Sequence, residues 1–270
     1  MKIYPKISII TPVYNRVGML EQTMRSVLCQ QYPALQYIII DGGSTDGTTD
    51  LIKKYAEKAE KGDFGKVDFQ WISEKDNGMY DAIMKGIRLA TGEVVAWINS
   101  DDMYHIGALK IVGQIFGELR DVKWITGTPT LYNAEGLCVK TFPTVYWSWV
   151  RFRRGDFRWL QQESTFFRKS LFDEVGGLNL DYQLAADFEL WCKMFQKANL
   201  YSVNTVLAGF RQHGDQLSVL GVNKYEKEVR QICQVYKMRY KCDPYVARLQ
   251  SKLMKKNKIE YNFEQNCWKI

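Results

Sequence analysis

Histidine is nearly missing from this sequence, with two in 270 residues. Six cysteines stand at 29, 138, 192, 233, 242 and 267, and no two are spaced as CxxC. That spacing excludes a zinc ribbon and a small disulfide scaffold, so reduced thiols are expected. No apolar run approaches the roughly 20 residues of a membrane-spanning helix. The start, Met1-Lys2-Ile3-Tyr4-Pro5-Lys6, enters a strand pattern with no apolar leader and no cleavage site. The chain is therefore expected to begin as written and to work in the cytoplasm. GxGxxG does not follow the first strand, and GxxxxGK[ST] occurs nowhere. Both absences count against a dinucleotide oxidoreductase and a P-loop NTPase.

What is present suits one large folded unit. Hydrophobic residues make up 46% and charged residues 25%, enough to bury a core. The net charge of +7 is uneven. Residues 224–270 hold 12 Lys/Arg and 5 Asp/Glu, a balance of +7, so the preceding 223 residues sum to zero. A basic tail fits an acidic partner such as a phospholipid surface, or a solvated helix face. Within it Tyr225, Val229, Ile232, Val235 and Tyr236 recur at helical spacing. A second unusual stretch, FPTVYWSWVRFRRGDFRWL (142–160), packs aromatics among arginines. It fits a core-facing element with arginines outward, a sugar-stacking surface, or a membrane-interface contact.

The hydrophobic pattern alternates between two periods. Strands are predicted over 6–12, 35–40, 67–72 and 93–98, and helices over 18–30, 45–61, 78–90 and 107–119. Near-continuous apolar strands between helices argue for a parallel α/β sheet. A further strand is predicted over 200–210, and Leu184, Phe188 and Trp191 share a helical face.

Polar clusters follow the C-terminal ends of the first four strands: Thr11-Pro12-Val13-Tyr14-Asn15, Asp41-Gly42-Gly43-Ser44, Glu74-Lys75-Asp76-Asn77-Gly78 and Asn99-Ser100-Asp101-Asp102. In an open α/β sheet, ligands bind outside those ends. Adjacent carboxylates at 101 and 102 repel unless a cation or a donor compensates, so they fit Mg²⁺ or Mn²⁺, or a helix cap. Asp41 fits a crevice floor that accepts from a base N–H, or a plain turn. Asp187 fits a helix cap, or a base that takes a proton from a hydroxyl. His213, beside Arg211, fits a phosphate or metal contact.

These stretches together resemble the family 2 glycosyltransferases, inverting enzymes of GT-A fold. The resemblance rests on SIITPVYNR (8–16), SVLCQQYP (26–33), YIIIDGGSTDGT (37–48), SEKDNGMYDAIMKGIRLATGE (73–93), WINSDD (97–102), QQESTFFRKSLFDEVGGL (161–178) and AADFELW (185–191). They stand in the family's order and cover roughly residues 6–215. The most similar members are bacterial enzymes of capsule, O-antigen or exopolysaccharide synthesis.

The resemblance implies a mixed, mostly parallel sheet flanked by helices. It implies a glycosyltransferase domain over 1–223, with a nucleotide-sugar half to about 120 and an acceptor half beyond it. Residues 224–270 would form a basic helical extension. The implied donor is a nucleotide-diphospho sugar with uracil as the implied base, and the implied cofactor is Mn²⁺ or Mg²⁺. The acceptor would be a saccharide or lipid-linked saccharide, at a cytoplasmic location that allows peripheral contact with the inner membrane face. Nucleic acid is not an expected partner. Thr11, Pro12, Tyr14, Asn15, Asp41, Asp76, Asn77 and Asp101 would hold the nucleotide sugar. Asp102 would ligate metal, with Asp101 and His213 as further candidates. Asp187 would be the base, with Glu189 as the alternative, and Glu163 and Trp191 would face the acceptor. Two departures stand out: Ala185-Ala186 replace bulkier residues before the base, and Asn99 cannot be a charged ligand. A nucleotidyltransferase and an inactive binding module are the competing readings. The first wants a Gly-rich basic loop after the first strand; the second would lack Asp102 or Asp187, and both are present.

Overall fold

The computed structural model describes residues 4–157, 160–214, 216, 221–240 and 257–270. It is a mixed α/β structure. Strands β1 (Ile7–Val13), β2 (Leu35–Asp41), β3 (Val67–Ser73) and β4 (Val94–Trp97) are mutually parallel and alternate with helices α1 (Val17–Leu28), α2 (Thr48–Glu60) and α3 (Met79–Leu89). After β4 come β5 (Met103–Tyr104), α4 (Ala108–Glu118), β6 (Trp124–Thr126), β7 (Thr130–Tyr132), β8 (Cys138–Thr141) and α5 (Trp149–Arg153). Then follow β9 (Thr165–Arg168), α6 (Lys169–Glu174), α7 (Ala186–Phe195), β10 (Leu200–Val203), β11 (Ala208–Arg211) and α8 (Val222–Val235). The chain closes on β12 (Lys258–Asn262) and β13 (Cys267–Lys269).

Among the described residues, nine strands form the main sheet in the order β13-β12-β10-β6-β9-β4-β1-β2-β3. Only β9 and β13 run against their neighbours. The isoleucine-rich strands feed both faces, as the pleat dictates. Ile7, Ile9 and Ile39 pack with α1, α2 and α4, while Ile10, Ile38 and Ile40 pack with α3 and α7. A smaller sheet, β5-β11-β7-β8, lies beyond the end of β4. Its pairing of Gly209 with Met103 brings the end of β11 back to Asp101 and Asp102.

One expectation for the second half is corrected. Residues 258–269 are not helical: β12 pairs parallel with β10, and β13 folds back on it. Ile259 is buried in the core, and the alternation around it suits a strand. The apolar stripe of α8 is split: Val229, Ile232 and Cys233 pack into the core, while Tyr225 and Val235 are exposed. The stretch 142–160 divides where described: part of it faces the core, while Phe157 and Leu160 line a cavity and Val150 is exposed. Trp147 and Phe152 are fully buried, Phe152 meets Phe188 and Phe195, and Arg151 pairs with Asp156 at 2.5 Å.

Candidate active site

A cavity of about 920 Å³ opens beyond the C-terminal ends of β1 and β4, between α3, the start of α7, and α8. Pro12 and Tyr14 from the first loop line it, with Asp76 from the third and Asn99, Ser100 and Asp101 from the fourth. Gln161, Gln162, Glu163 and Asp187 complete its polar wall. Phe157, Leu160, Leu184, Tyr225 and Val229 add an apolar lining, with Leu184 and Tyr225 close to Asp187. Asp76, Asp101, Glu163, Asp187 and Glu226 face it, and Arg16 is the one basic side chain among the described lining residues.

Asp187 sits in the first turn of α7. Its Oδ1 accepts from Tyr80 Oη at 3.0 Å and from the Phe188 amide at 2.8 Å. Burial pushes its carboxyl above the ordinary carboxylate range, and those two donors pull it partly back. Glu189, the alternative, does not line the cavity. Two residues on from Asp187 along α7, it accepts from Tyr236 at 2.6 Å and pairs with Lys193 at 2.8 Å.

The acidic pair divides its roles. Asp101 faces the cavity, and its Oδ2 meets His213 Nε2 at 2.9 Å. Asp102 turns inward and is 1% exposed, with Oδ1 accepting from the Arg211 amide at 2.9 Å. Burial, then the charges of Asp101 and Glu163, push Asp102 well above the ordinary range. Of the two carboxylates expected to meet a metal, Asp101 is therefore the one that faces the cavity, and Asp102 is turned away from it. The cause is the β5–β11 pairing, which supplies Asp102 with a backbone donor inside the protein.

Other expected residues part company. Thr11 is buried and bonds Tyr37 Oη at 3.0 Å, so it does not reach the cavity. Asp41 is also fully buried; it accepts from the Ser44 amide at 3.0 Å, from Ser73 Oγ at 2.6 Å, and from the Ser44 hydroxyl. It braces the loop that Asp76 leans on, rather than lining the cavity. Gly42 makes that approach possible, since a Cβ there would stand 2.7 Å from Asp76 Oδ2. Asn15, at φ +49°, ties the first loop to the second through Thr45 and Ser44. Asn77 is exposed, and its amide donates to Asp81. Trp191 does not face an acceptor: it is 2% exposed, stacked between Trp97 and Trp124 at 5.9 and 5.7 Å.

Glu163 is 3% exposed, lines the cavity, and has no partner for Oε1 among the described residues. Burial first, then the charges of Asp101 and Asp187, push its carboxyl up to about 8. Asn99 Oδ1 and Gln162 Oε1 are likewise buried acceptors without a described donor. Such orphaned acceptors call for a ligand that donates. Sequence reasoning missed Tyr80, Gln162, Arg211 and Glu228; each acts through a partner more than 40 residues away, a distance no local motif spans.

No cluster of three metal-binding side chains exists among the described residues. Asp101 nevertheless offers a hard oxygen at the edge of the cavity, and the buried His213 stands behind it with an imidazole nitrogen 2.9 Å away, donor types suited to Mn²⁺ or Mg²⁺. Two protein ligands fit a cation whose remaining positions are filled by phosphate oxygens and water.

The glycosyl transferase family 2 model matches residues 8–175, more than half of the chain. A Mycobacterium bovis protein described as a PGL/p-HBAD biosynthesis glycosyltransferase is 26% identical over 215 residues, 78% of each chain. S. aureus TarS 1-349 in complex with UDP-GlcNAc superposes with a TM-score of 0.66 at 16% identity, covering 84% of this chain. This chain spans 65% of that one, just short of two thirds. The mannosyltransferase PcManGT from Pyrobaculum calidifontis, in complex with GDP-Man and Mn²⁺, gives a TM-score of 0.64 at 18% identity, covering 93% of this chain and 71% of the other. At these identities the solved structures show the fold.

Proposed function

The chain belongs to glycosyl transferase family 2, and on that premise we propose that it is an inverting transferase that moves a sugar from a nucleotide-diphospho sugar to an acceptor hydroxyl. The observation that carries this reading is Asp187: a partly buried carboxylate, aimed by Tyr80, on the wall of a cavity large enough for a nucleotide sugar.

In the proposed reaction, the acceptor oxygen attacks the anomeric carbon from the face opposite the diphosphate. The carbon–oxygen bond to phosphate breaks, and the diphosphate leaves with that electron pair. Asp187 takes the acceptor's proton, and burial raises its affinity for that proton. Asp101 and His213 would hold a divalent cation, which when bound neutralises the diphosphate. Among the described lining residues Asp76, Asp101 and Glu226 outnumber Arg16, which supports this need: a diphosphate entering alone would meet repulsion.

The donor is proposed to be a UDP-sugar, in line with the UDP-GlcNAc complex of TarS. Pro12, Tyr14 and Asp76 would border the nucleotide, and Asn99, Gln162 and Glu163 would accept from sugar hydroxyls. The proposed acceptor is a saccharide or lipid-linked saccharide of a bacterial surface polymer, which fits the apolar end of the cavity beside Asp187. The basic residues of the tail are proposed to meet an anionic membrane surface. A panel of nucleotide sugars, assayed for Mn²⁺-dependent hydrolysis and calorimetric binding, tests the reading. UDP binding strengthened by Mn²⁺ is expected; tight GDP binding without UDP binding overturns the uracil assignment.

A further inference from the structure

The Glu228 carboxylate collects three consecutive backbone N–H groups. Gln183 N lies 3.1 Å from Oε1, and Leu184 N and Ala185 N each lie 2.9 Å from Oε2. Glu228 belongs to α8 and is 7% exposed. The amides belong to the turn that leads into α7, whose second residue is Asp187. That turn has no side-chain cap of its own, because alanine stands at 185 and 186. A carboxylate from another element fills the role, and successive N–H groups on one anion form a strong nest.

The same turn controls Tyr80. Tyr80 Oη stands 3.0 Å from the Leu184 carbonyl and 3.0 Å from Asp187 Oδ1. Glu228 thus fixes the peptide that precedes Asp187 and the carbonyl that shares its tyrosine partner. We propose that Glu228 is a positioning residue for transfer, holding the Asp187 carboxylate in its orientation toward the cavity. The inference rests on the reading of Asp187 as the base.

Both carboxylate oxygens accept, so glutamine cannot replace them: its NH₂ end would face an N–H. The charge matters too. Asp187 is faced by Tyr80 from α3, Tyr225 and Glu228 from α8, and Glu163 from the segment before β9. Burial is the main cause that raises the Asp187 carboxyl, and the Glu228 charge adds to it. Removing that charge lets Asp187 ionise at lower pH.

The test uses the full chain with Glu228→Gln, Glu228→Asp and Asp187→Asn. Glu228→Gln is expected to lower kcat roughly tenfold or more, since a 1 Å misplacement can cost far more than that. KM for the nucleotide sugar should stay within about twofold, because this turn does not hold the donor. The acid limb of the pH profile should move to lower pH. Glu228→Asp keeps the charge and withdraws it, so it should lose rate without moving the limb. Hydrogen exchange at residues 183–185 should quicken in Glu228→Gln while UDP–Mn²⁺ binding persists. An unmoved limb, or unchanged exchange, overturns the role. A dead Asp187→Asn beside a normal Glu228→Gln overturns the Glu228 inference alone, whereas transfer retained in Asp187→Asn overturns the reading of the base.

Discussion

Tyr80 donates to Asp187 across the cavity wall, Oη to Oδ1 at 3.0 Å, from a ring that α3 keeps almost wholly buried. The bond favours the ionised carboxylate. Tyr80→Phe therefore raises the Asp187 pKa further, and the acid limb of kcat/KM moves to higher pH, opposite to the shift expected for Glu228→Gln. Activity at neutral pH should fall roughly tenfold, within the range for a general base left less ionised. A pH–rate profile of Tyr80→Phe checks the sign.

Asp101 and Asp102 should separate cleanly by mutation. Asp101→Asn removes the charged donor at the cavity edge and should abolish the Mn²⁺ enhancement of UDP binding. Asp102→Asn keeps an oxygen for the Arg211 amide and should leave that enhancement nearly intact. Asp102→Ala strands the amide in the interior, at a cost of about 1–3 kcal/mol. Calorimetry with and without Mn²⁺, beside thermal melts, distinguishes the two roles.

Glu163 makes stability depend on pH. Its carboxyl is raised from 4.5 to about 8, so the folded chain holds a proton that the unfolded chain has released across that window. The folded state then binds more protons, and stability falls as pH rises from about 4.5 to about 8. Asp102 and Asp187, also raised, act in the same direction. Glu163→Gln carries no such charge, so its melting temperature should fall less over this range. Melts at several pH values measure the difference.

Much of this was legible along the chain. Isoleucine-rich strands and helical spacing over the first 120 residues announce β1 to β4 and α1 to α4, because each signal lies within one element. The polar rim was legible for the same reason. Which member of the rim faces the cavity was not. Thr11, Asp41 and Asp102 each find a partner inside the protein, and the partners of Thr11 and Asp102 lie 26 and 109 residues away. Trp191 read as a surface for sugar until Trp97 and Trp124 closed over it. Lys258–Asn262 is too short a pattern to declare a strand without β10 beside it.

Trp191 offers a test of core against contact. Trp191→Ala should cost about 3–5 kcal/mol, the range for deleting a large buried aromatic. Trp191→Phe should keep most stability and leave the acceptor KM unchanged. A raised acceptor KM at full stability would return Trp191 to the binding surface.

The basic tail should bind membranes by charge alone. Val229 and Ile232 are committed to the core, so among the described residues the α8 stripe is not free as a whole to insert, and each exposed basic group near an anionic surface contributes about 1 kcal/mol. Lys227, Lys237 and Arg239 are exposed on α8 and the turn after it. Removing residues 224–270 is a poor test, because it strips β12 from the sheet and Val229 from the core. The full chain with Lys227→Glu and Lys237→Glu keeps both. Vesicle sedimentation should show binding to anionic but not neutral lipid, weaker in the variant and lost at high salt, where screening shortens the reach of each charge. Equal pelleting of both proteins, or pelleting that survives high salt, would remove these lysines from the contact.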